Sequence, residues 1–176
     1  QIRKDLSYFG RFGKQGRGYN VKYLLIELRR ILGLDRQWNA AVVGVGRLGR
    51  AILGYPGFAP AGFRIAAAFD VDPRQVGTKV GELAVQDMGE LEQILRRDEI
   101  DIAIVSVPAD YAQEVADRLV RGGVKAILNY TPFFLQVPPD VRVRSIDPVV
   151  ALQSMTYYLR QSKGAASAPQ GGAKRG

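Results

Sequence analysis

The sequence predicts an α/β protein built on a doubly wound parallel sheet, and three observations predict it. From Trp38 onward, short apolar runs alternate in regular order with stretches of helical periodicity. The runs lack polar alternation, so each must be a strand covered on both faces, as in a parallel sheet flanked by helices. The first run ends in "VVGVGRLG", where Gly44, Gly46 and Gly49 have the G-x-G-x-x-G spacing of a Rossmann-type strand-turn-helix.

Taken in order, residues 2–9 place Ile2, Leu6 and Phe9 on one helical stripe, with Arg3, Lys4, Ser7 and Tyr8 on the other side. The glycine-dense "GRFGKQGRGYN" predicts a β-hairpin with a cationic tip carrying Lys14 and Arg17. "NVKYLLIELRRILGL" predicts a helix with Asn20 as N-cap and Gly33 as terminator. Strands follow at "AAVVGV" (40–45), "FRIAAAFD" (63–70), "IDIAIVSV" (100–107), "VKAILN" (124–129) and "VRVRSID" (141–147). Helices are expected over Arg47–Leu53, Met88–Arg97 and Asp110–Arg121, and a last one over Pro148–Gln161 with Val149, Leu152, Met155, Thr156 and Leu159 on one side. The final residues, 163–176, are poor in large apolar side chains and are expected to be disordered.

The totals narrow the function. A chain of 176 residues, 47% hydrophobic, buries one core plus appendages. It has no cysteine, which excludes disulfides, thiolate catalysis and most zinc sites, and no histidine, the commonest proton-transfer residue. No apolar run approaches membrane-spanning length and no secretory leader precedes it, so a cytoplasmic protein with no membrane partner is expected. The net charge of +8 sits at the ends. Residues 1–36 carry nine Lys/Arg against three acids, and from Arg160 onward there are four bases and no acid, which leaves the middle near neutral. A basic N-terminal segment on a neutral globule suggests a polyanion partner, and a solvated charged surface is its rival.

In the glycine loop, Gly44 permits the tight turn, Gly46 admits a pyrophosphate close to the backbone, and Gly49 lets the helix pack on the sheet. Arg47 and Leu48 open that helix, whose free N–H groups face the phosphates. "AFDVDP" answers the loop, with Asp70 at the end of the next strand, 21 residues after Gly49. A carboxylate there accepts both hydroxyls of an adenosine ribose and repels a 2′-phosphate, favouring NAD over NADP, although Arg74 nearby keeps NADP open. "SVPAD" (106–110), with Val107 and Pro108, and "NYTP" (129–132), with Asn129 and Tyr130, fall at strand ends. Each is either a wall of the nicotinamide pocket or an ordinary turn. Tyr130 or Lys125 could serve in proton transfer, yet one helix and a tail after Asp147 leave no room for a substrate domain. Nicotinamide bound without chemistry makes a reporter of redox state, so no enzyme is expected.

In "QIRKDLSYFG", "GRGY", "ELRRILGL", "VVGVGRLGRAI", "YPGF", "FDVDP", "SVP", "ILNYTP" and the "ID" before the last helix, the chain resembles the Rex-type redox-sensing transcriptional repressors of bacteria from Gln1 to about Leu159. The resemblance implies a homodimer that binds NADH or NAD+ and holds operator DNA until NADH releases it. It also implies an N-terminal winged-helix domain, a Rossmann domain and a C-terminal helix exchanged between subunits. Residues 1–20 would then be a winged-helix remnant, 21–37 a connecting helix, 38–147 the Rossmann domain and 148–162 the exchanged helix. Arg3, Lys4, Ser7 and Tyr8 would meet DNA from the recognition helix, and Lys14 and Arg17 from the wing. Tyr55 and Asp147 match a switch pair that hydrogen-bonds across the dimer in the NADH state; without the resemblance they read as a partly buried tyrosine and a helix N-cap. The first helices of the winged-helix domain are not present, so this chain is expected to keep NADH binding and to bind DNA weakly or not at all. The rivals are a CoA- or nucleotide-binding Rossmann module and a fragment of an NAD-dependent oxidoreductase.

Overall fold

The computed structural model describes residues 21–166, so the residues expected to meet DNA (Arg3, Lys4, Ser7, Tyr8, Lys14 and Arg17) and the 163–176 tail beyond Ala166 lie outside it. A first helix, α1 (Val21–Ile31), precedes the alternating region. Then come β1 (Trp38–Val43), α2 (Arg47–Leu53), β2 (Phe63–Asp70), β3 (Lys79–Val80), β4 (Leu83–Asp87), α3 (Leu91–Arg97), β5 (Ile102–Val105), α4 (Ala109–Arg121), β6 (Ala126–Asn129), β7 (Arg142–Ser145) and α5 (Pro148–Ala166).

The strands form one seven-stranded sheet in the order β3-β4-β2-β1-β5-β6-β7. Every pairing is parallel except that of the two-residue edge strand β3 with β4. The strand over 63–70 falls where the apolar run predicts it, and the last helix runs on to Ala166. The β3–β4 hairpin is an addition to the expected elements. Its strands are short, and it turns at Gly81, which has positive φ.

Both faces of the sheet are covered, which explains the unbroken apolar runs. On one face Val43, Phe69, Val105 and Ile127 pack with Leu91 and Leu95 of α3 and Ala112, Ala116 and Leu119 of α4. On the other, Val42 and Ile104 meet Ile52 of α2, with Phe58, Ile65, Leu128 and Tyr130 around them. Alternation along each strand sends neighbours such as Val42 and Val43 into different layers. The link from α1 to the sheet is held by Arg36, whose guanidinium lies 3.5 Å from the Trp38 ring centroid and bonds Asp101. Helix α5 leaves the globule with Val149, Val150, Leu152 and Met155 each 58–61% exposed.

Candidate functional site

β1 lies between β2 and β5, and the chain winds outward from it in both directions. Beyond the carboxyl ends of β1 and β5 their loops diverge, the place where ligands of open α/β sheets bind. A cleft of about 590 Å³ opens there. Gly44 and Gly46 after β1, Asp70 and Asp72 after β2, and Val107 and Pro108 after β5 line it, and Tyr111 and Arg118 of α4 close its side.

The three glycines of the loop separate into two kinds. Gly44 has φ +90°, and a Cβ there would fall 2.5 Å from the Ser106 carbonyl oxygen. A Cβ on Gly49 would fall 1.9 Å from the Gly44 carbonyl oxygen. The protein's own packing requires both. At Gly46 a Cβ would meet nothing within 4 Å, so its bareness serves no contact among the described residues. Ser106 holds the loop from the neighbouring strand, its hydroxyl donating to the Gly44 carbonyl at 2.8 Å.

Asp70 ties the second strand to this loop. Its Oδ2 accepts the Val45 N–H at 2.7 Å and its Oδ1 accepts the Asp72 N–H at 2.9 Å. Each oxygen keeps a further lone pair for a ribose hydroxyl in the cleft. The turn that follows is fastened to α2 by Arg50, whose guanidinium donates to Gln75 Oε1 and, at 3.3 Å, to Thr78 Oγ1.

The opposite wall is held by Glu92, which pairs with Arg118 and, at 3.5 Å, with Arg121. Arg118 donates to both carboxylate oxygens of Glu92, at 2.9 and 2.7 Å, and to the Met88 carbonyl at 2.6 Å, fixing the turn before α3 against α4. Hydrogen bonding from Arg118 pulls the Glu92 carboxyl down from 4.5 to about 2, against the opposing effect of burial. Because the folded-state value is depressed, the stabilisation is complete above the unfolded value of about 4.5 and disappears as pH falls through about 2. Glu92→Gln is therefore expected to lower stability by roughly 1–2 kcal/mol at pH 7 after allowance for solvent at the cleft edge. Thermal melts should show the gap between variant and wild type closing between pH 5 and pH 2.

Of the cofactor residues expected from sequence, Gly44, Gly46, Asp70, Val107 and Pro108 line the cleft, and Gly49 is buried behind the loop. Arg47 and Leu48 are exposed on the first turn of α2. Asn129 and Tyr130 are not on the cleft lining. Asn129 is fully buried, its Oδ1 accepting the Thr131 N–H and hydroxyl at 2.9 and 2.7 Å and its Nδ2 donating to the Phe133 carbonyl at 2.8 Å. Tyr130 packs against the Val42–Ile52–Ile104 layer. Asp147 caps α5, its Oδ1 accepting the Val149 N–H at 2.8 Å. Tyr55 is 60% exposed, more open than the partly buried tyrosine expected, with its ring edge-on to Phe58. Sequence reasoning did not name Met88, Tyr111 or Arg118, which reach the cleft from helix edges far along the chain. Among the described residues no helix is long and apolar enough to cross a membrane.

A glycine-loop cleft at the switch point of a doubly wound sheet defines a nucleotide-binding Rossmann domain. Residues 35–133 match the CoA binding domain family. Over 163 residues the chain is 55% identical to the redox-sensing transcriptional repressor Rex of Chloroflexus aurantiacus, covering 93% of this chain and 77% of that protein. The chain belongs to the Rex family of redox-sensing transcriptional repressors, a family of regulators and not of enzymes. Rex of Roseiflexus sp. RS-1 is 58% identical over 159 residues, 90% of this chain and 72% of that one. The crystal structure of RSP in complex with β-NAD+ and operator DNA matches with 44% identity and a TM-score of 0.85, covering 93% of this chain and 75% of that one. RSP in complex with β-NADH matches with 41% identity and a TM-score of 0.79, covering 93% and 76%.

Proposed function

We propose that this protein is a cytoplasmic, homodimeric repressor that binds operator DNA while NADH is scarce relative to NAD+ and is released when NADH fills the cleft. The observation that carries the reading is Gly46, a glycine that no contact among the described residues requires, on the wall of a cleft flanked by Asp70. Gly44, Gly46 and Gly49 shape the backbone that the pyrophosphate approaches, with Arg47 and Leu48 at the helix start. Asp70 takes the adenosine ribose, and Val107 and Pro108 border the cofactor on the β5 side. Bound NADH supplies no chemistry here, because its redox state is the signal. Arg3, Lys4, Ser7, Tyr8, Lys14 and Arg17 contact the operator. Residues 148–162 exchange between subunits, where burial of Val149, Leu152 and Met155 would remove apolar surface now in water. Tyr55 and Asp147 form the switch across the dimer. RSP, which has been crystallised with each redox form and with operator DNA, supports this assignment.

The match to the CoA binding domain family favours a second reading, a CoA-binding module. Asp70 opposes it, since CoA carries a 3′-phosphate on the ribose that this carboxylate would face. Calorimetric titration separates the two. Saturable NADH binding that excess CoA does not displace is expected, and displacement by CoA or the absence of NADH binding contradicts the reading. Gly46→Ala is expected to keep the wild-type melting temperature and to lose at least tenfold in NADH affinity, because the added methyl occupies space that only the ligand uses.

A further inference from the structure

Asp72, two residues beyond the ribose carboxylate, is engaged by Arg74 throughout. Arg74 Nε lies 3.1 and 3.2 Å from the two Asp72 oxygens, its Nη2 lies 2.9 Å from Oδ2, and its backbone N–H donates to Oδ1 at 3.0 Å. The Asp72 side chain is 30% exposed at the cleft wall, and that of Arg74 is 88% exposed beside it. The backbone of this turn has anchors besides the pair. The Asp72 N–H donates to Asp70, the Gly77 N–H donates to the Val85 carbonyl at 2.8 Å, and Arg50 bonds Gln75 and Thr78. Where the Arg74 guanidinium points is therefore decided by its side chain and by Asp72, not by movement of the loop.

We propose that Asp72 is a specificity-determining residue that excludes NADP(H) by clasping Arg74, an exposed cation just beyond the end of β2 whose fork could otherwise receive a 2′-phosphate. This rests on the reading of the cleft as an NAD(H) site with Asp70 on the ribose. With the clasp closed, a 2′-phosphate meets two carboxylates against one guanidinium, a net charge of −1, and an arginine whose parallel N–H groups are already committed to a carboxylate. Arginine binds phosphate through the same fork that it presents to a carboxylate, so it cannot serve both. With Asp72 replaced by asparagine, the local charge rises from −1 to zero and the fork is free. Asp70 thus discriminates directly and Asp72 through Arg74, so that the arginine beside the site does not convert it to NADP(H).

The test is the ratio of NADPH to NADH dissociation constants, measured by calorimetry on the 176-residue chain and on Asp72→Asn, Arg74→Ala and Asp72→Asn/Arg74→Ala. Removing one carboxylate charge near a doubly charged phosphate at a solvated edge corresponds to about a tenfold change. The ratio is expected to fall by about that factor in Asp72→Asn. In the double variant it should return toward the wild-type value, because the receiving cation is gone, and in Arg74→Ala it should not fall. An unchanged ratio in Asp72→Asn, or an equal fall in the double variant, overturns the proposal while leaving the NADH site intact. Wild-type chain that binds neither dinucleotide overturns the cofactor reading and this proposal with it. Adenosine 2′,5′-bisphosphate against 5′-AMP, titrated into the same four proteins, is expected to give the same order without any contribution from nicotinamide.

Discussion

Gly49→Ala is expected to destabilise the protein by about 3 kcal/mol and to abolish measurable NADH binding, the largest effect of any single methyl added to the glycine loop. The reason is a contact, not a dihedral. The new Cβ would stand 1.9 Å from the Gly44 carbonyl oxygen and 3.2 Å from Ser106 Oγ. No rotamer relieves this, since a Cβ has none, so α2 must move away from the strand end. That movement pulls on the Gly44 carbonyl, which accepts the Ser106 hydroxyl, and on the Val45 N–H, which donates to Asp70. It also lifts Ile52 from the layer it shares with Val42 and Ile104. For a chain of this size the cost corresponds to roughly 6–12 °C in melting temperature. Thermal denaturation of Gly49→Ala beside Gly46→Ala checks it, with a shift in the first and none in the second. Equal melts would mean that the loop tolerates α2 at a greater distance and that the packing argument fails.

This difference between neighbouring glycines also marks how far the sequence is informative. The spacing of Gly44, Gly46 and Gly49 after an apolar run identifies the crook, because only a few backbone arrangements follow a strand with three glycines at those intervals. Asp70 was legible for the same reason: the strand that ends in it is eight residues long and apolar almost throughout. The β3–β4 hairpin was not, because strands of two and five residues at a sheet edge carry little periodicity. Met88, Tyr111 and Arg118 were hidden differently. Each belongs to a helix or turn whose existence was legible, but which of its side chains overhangs a strand end depends on how α4 sits on the sheet, and no local pattern records that angle. Arg118 in particular looks like an ordinary surface base of an amphipathic helix until Glu92 and the Met88 carbonyl are placed around it.

Asn129→Ala is expected to lower stability by about 3 kcal/mol while changing NADH affinity less than threefold in the folded variant, the reverse of what a cofactor contact would give. The residue sits at the end of β6, where strand-end position alone suggests a ligand, but along a strand the side chains alternate and this one shares its face with Ile127. It turns into the protein and organises the loop that leaves the strand. Removing the amide leaves the buried Thr131 N–H without its acceptor and the Phe133 carbonyl without its donor. The orphaned, buried Thr131 N–H costs about 1–3 kcal/mol, and the cavity left by the side chain adds to this. Asn129→Asp distinguishes the polar bookkeeping from the volume. It keeps the acceptor for Thr131 but turns a carboxylate oxygen toward the Phe133 carbonyl, where a donor is needed, so it should be no more stable than the alanine variant despite its nearly identical size. Denaturant melts of both variants, with NADH titrations at a temperature where each is folded, decide the matter. A tenfold loss of affinity with an unchanged melt would put Asn129 back among the cofactor contacts and require the 130–134 loop to open when NADH binds.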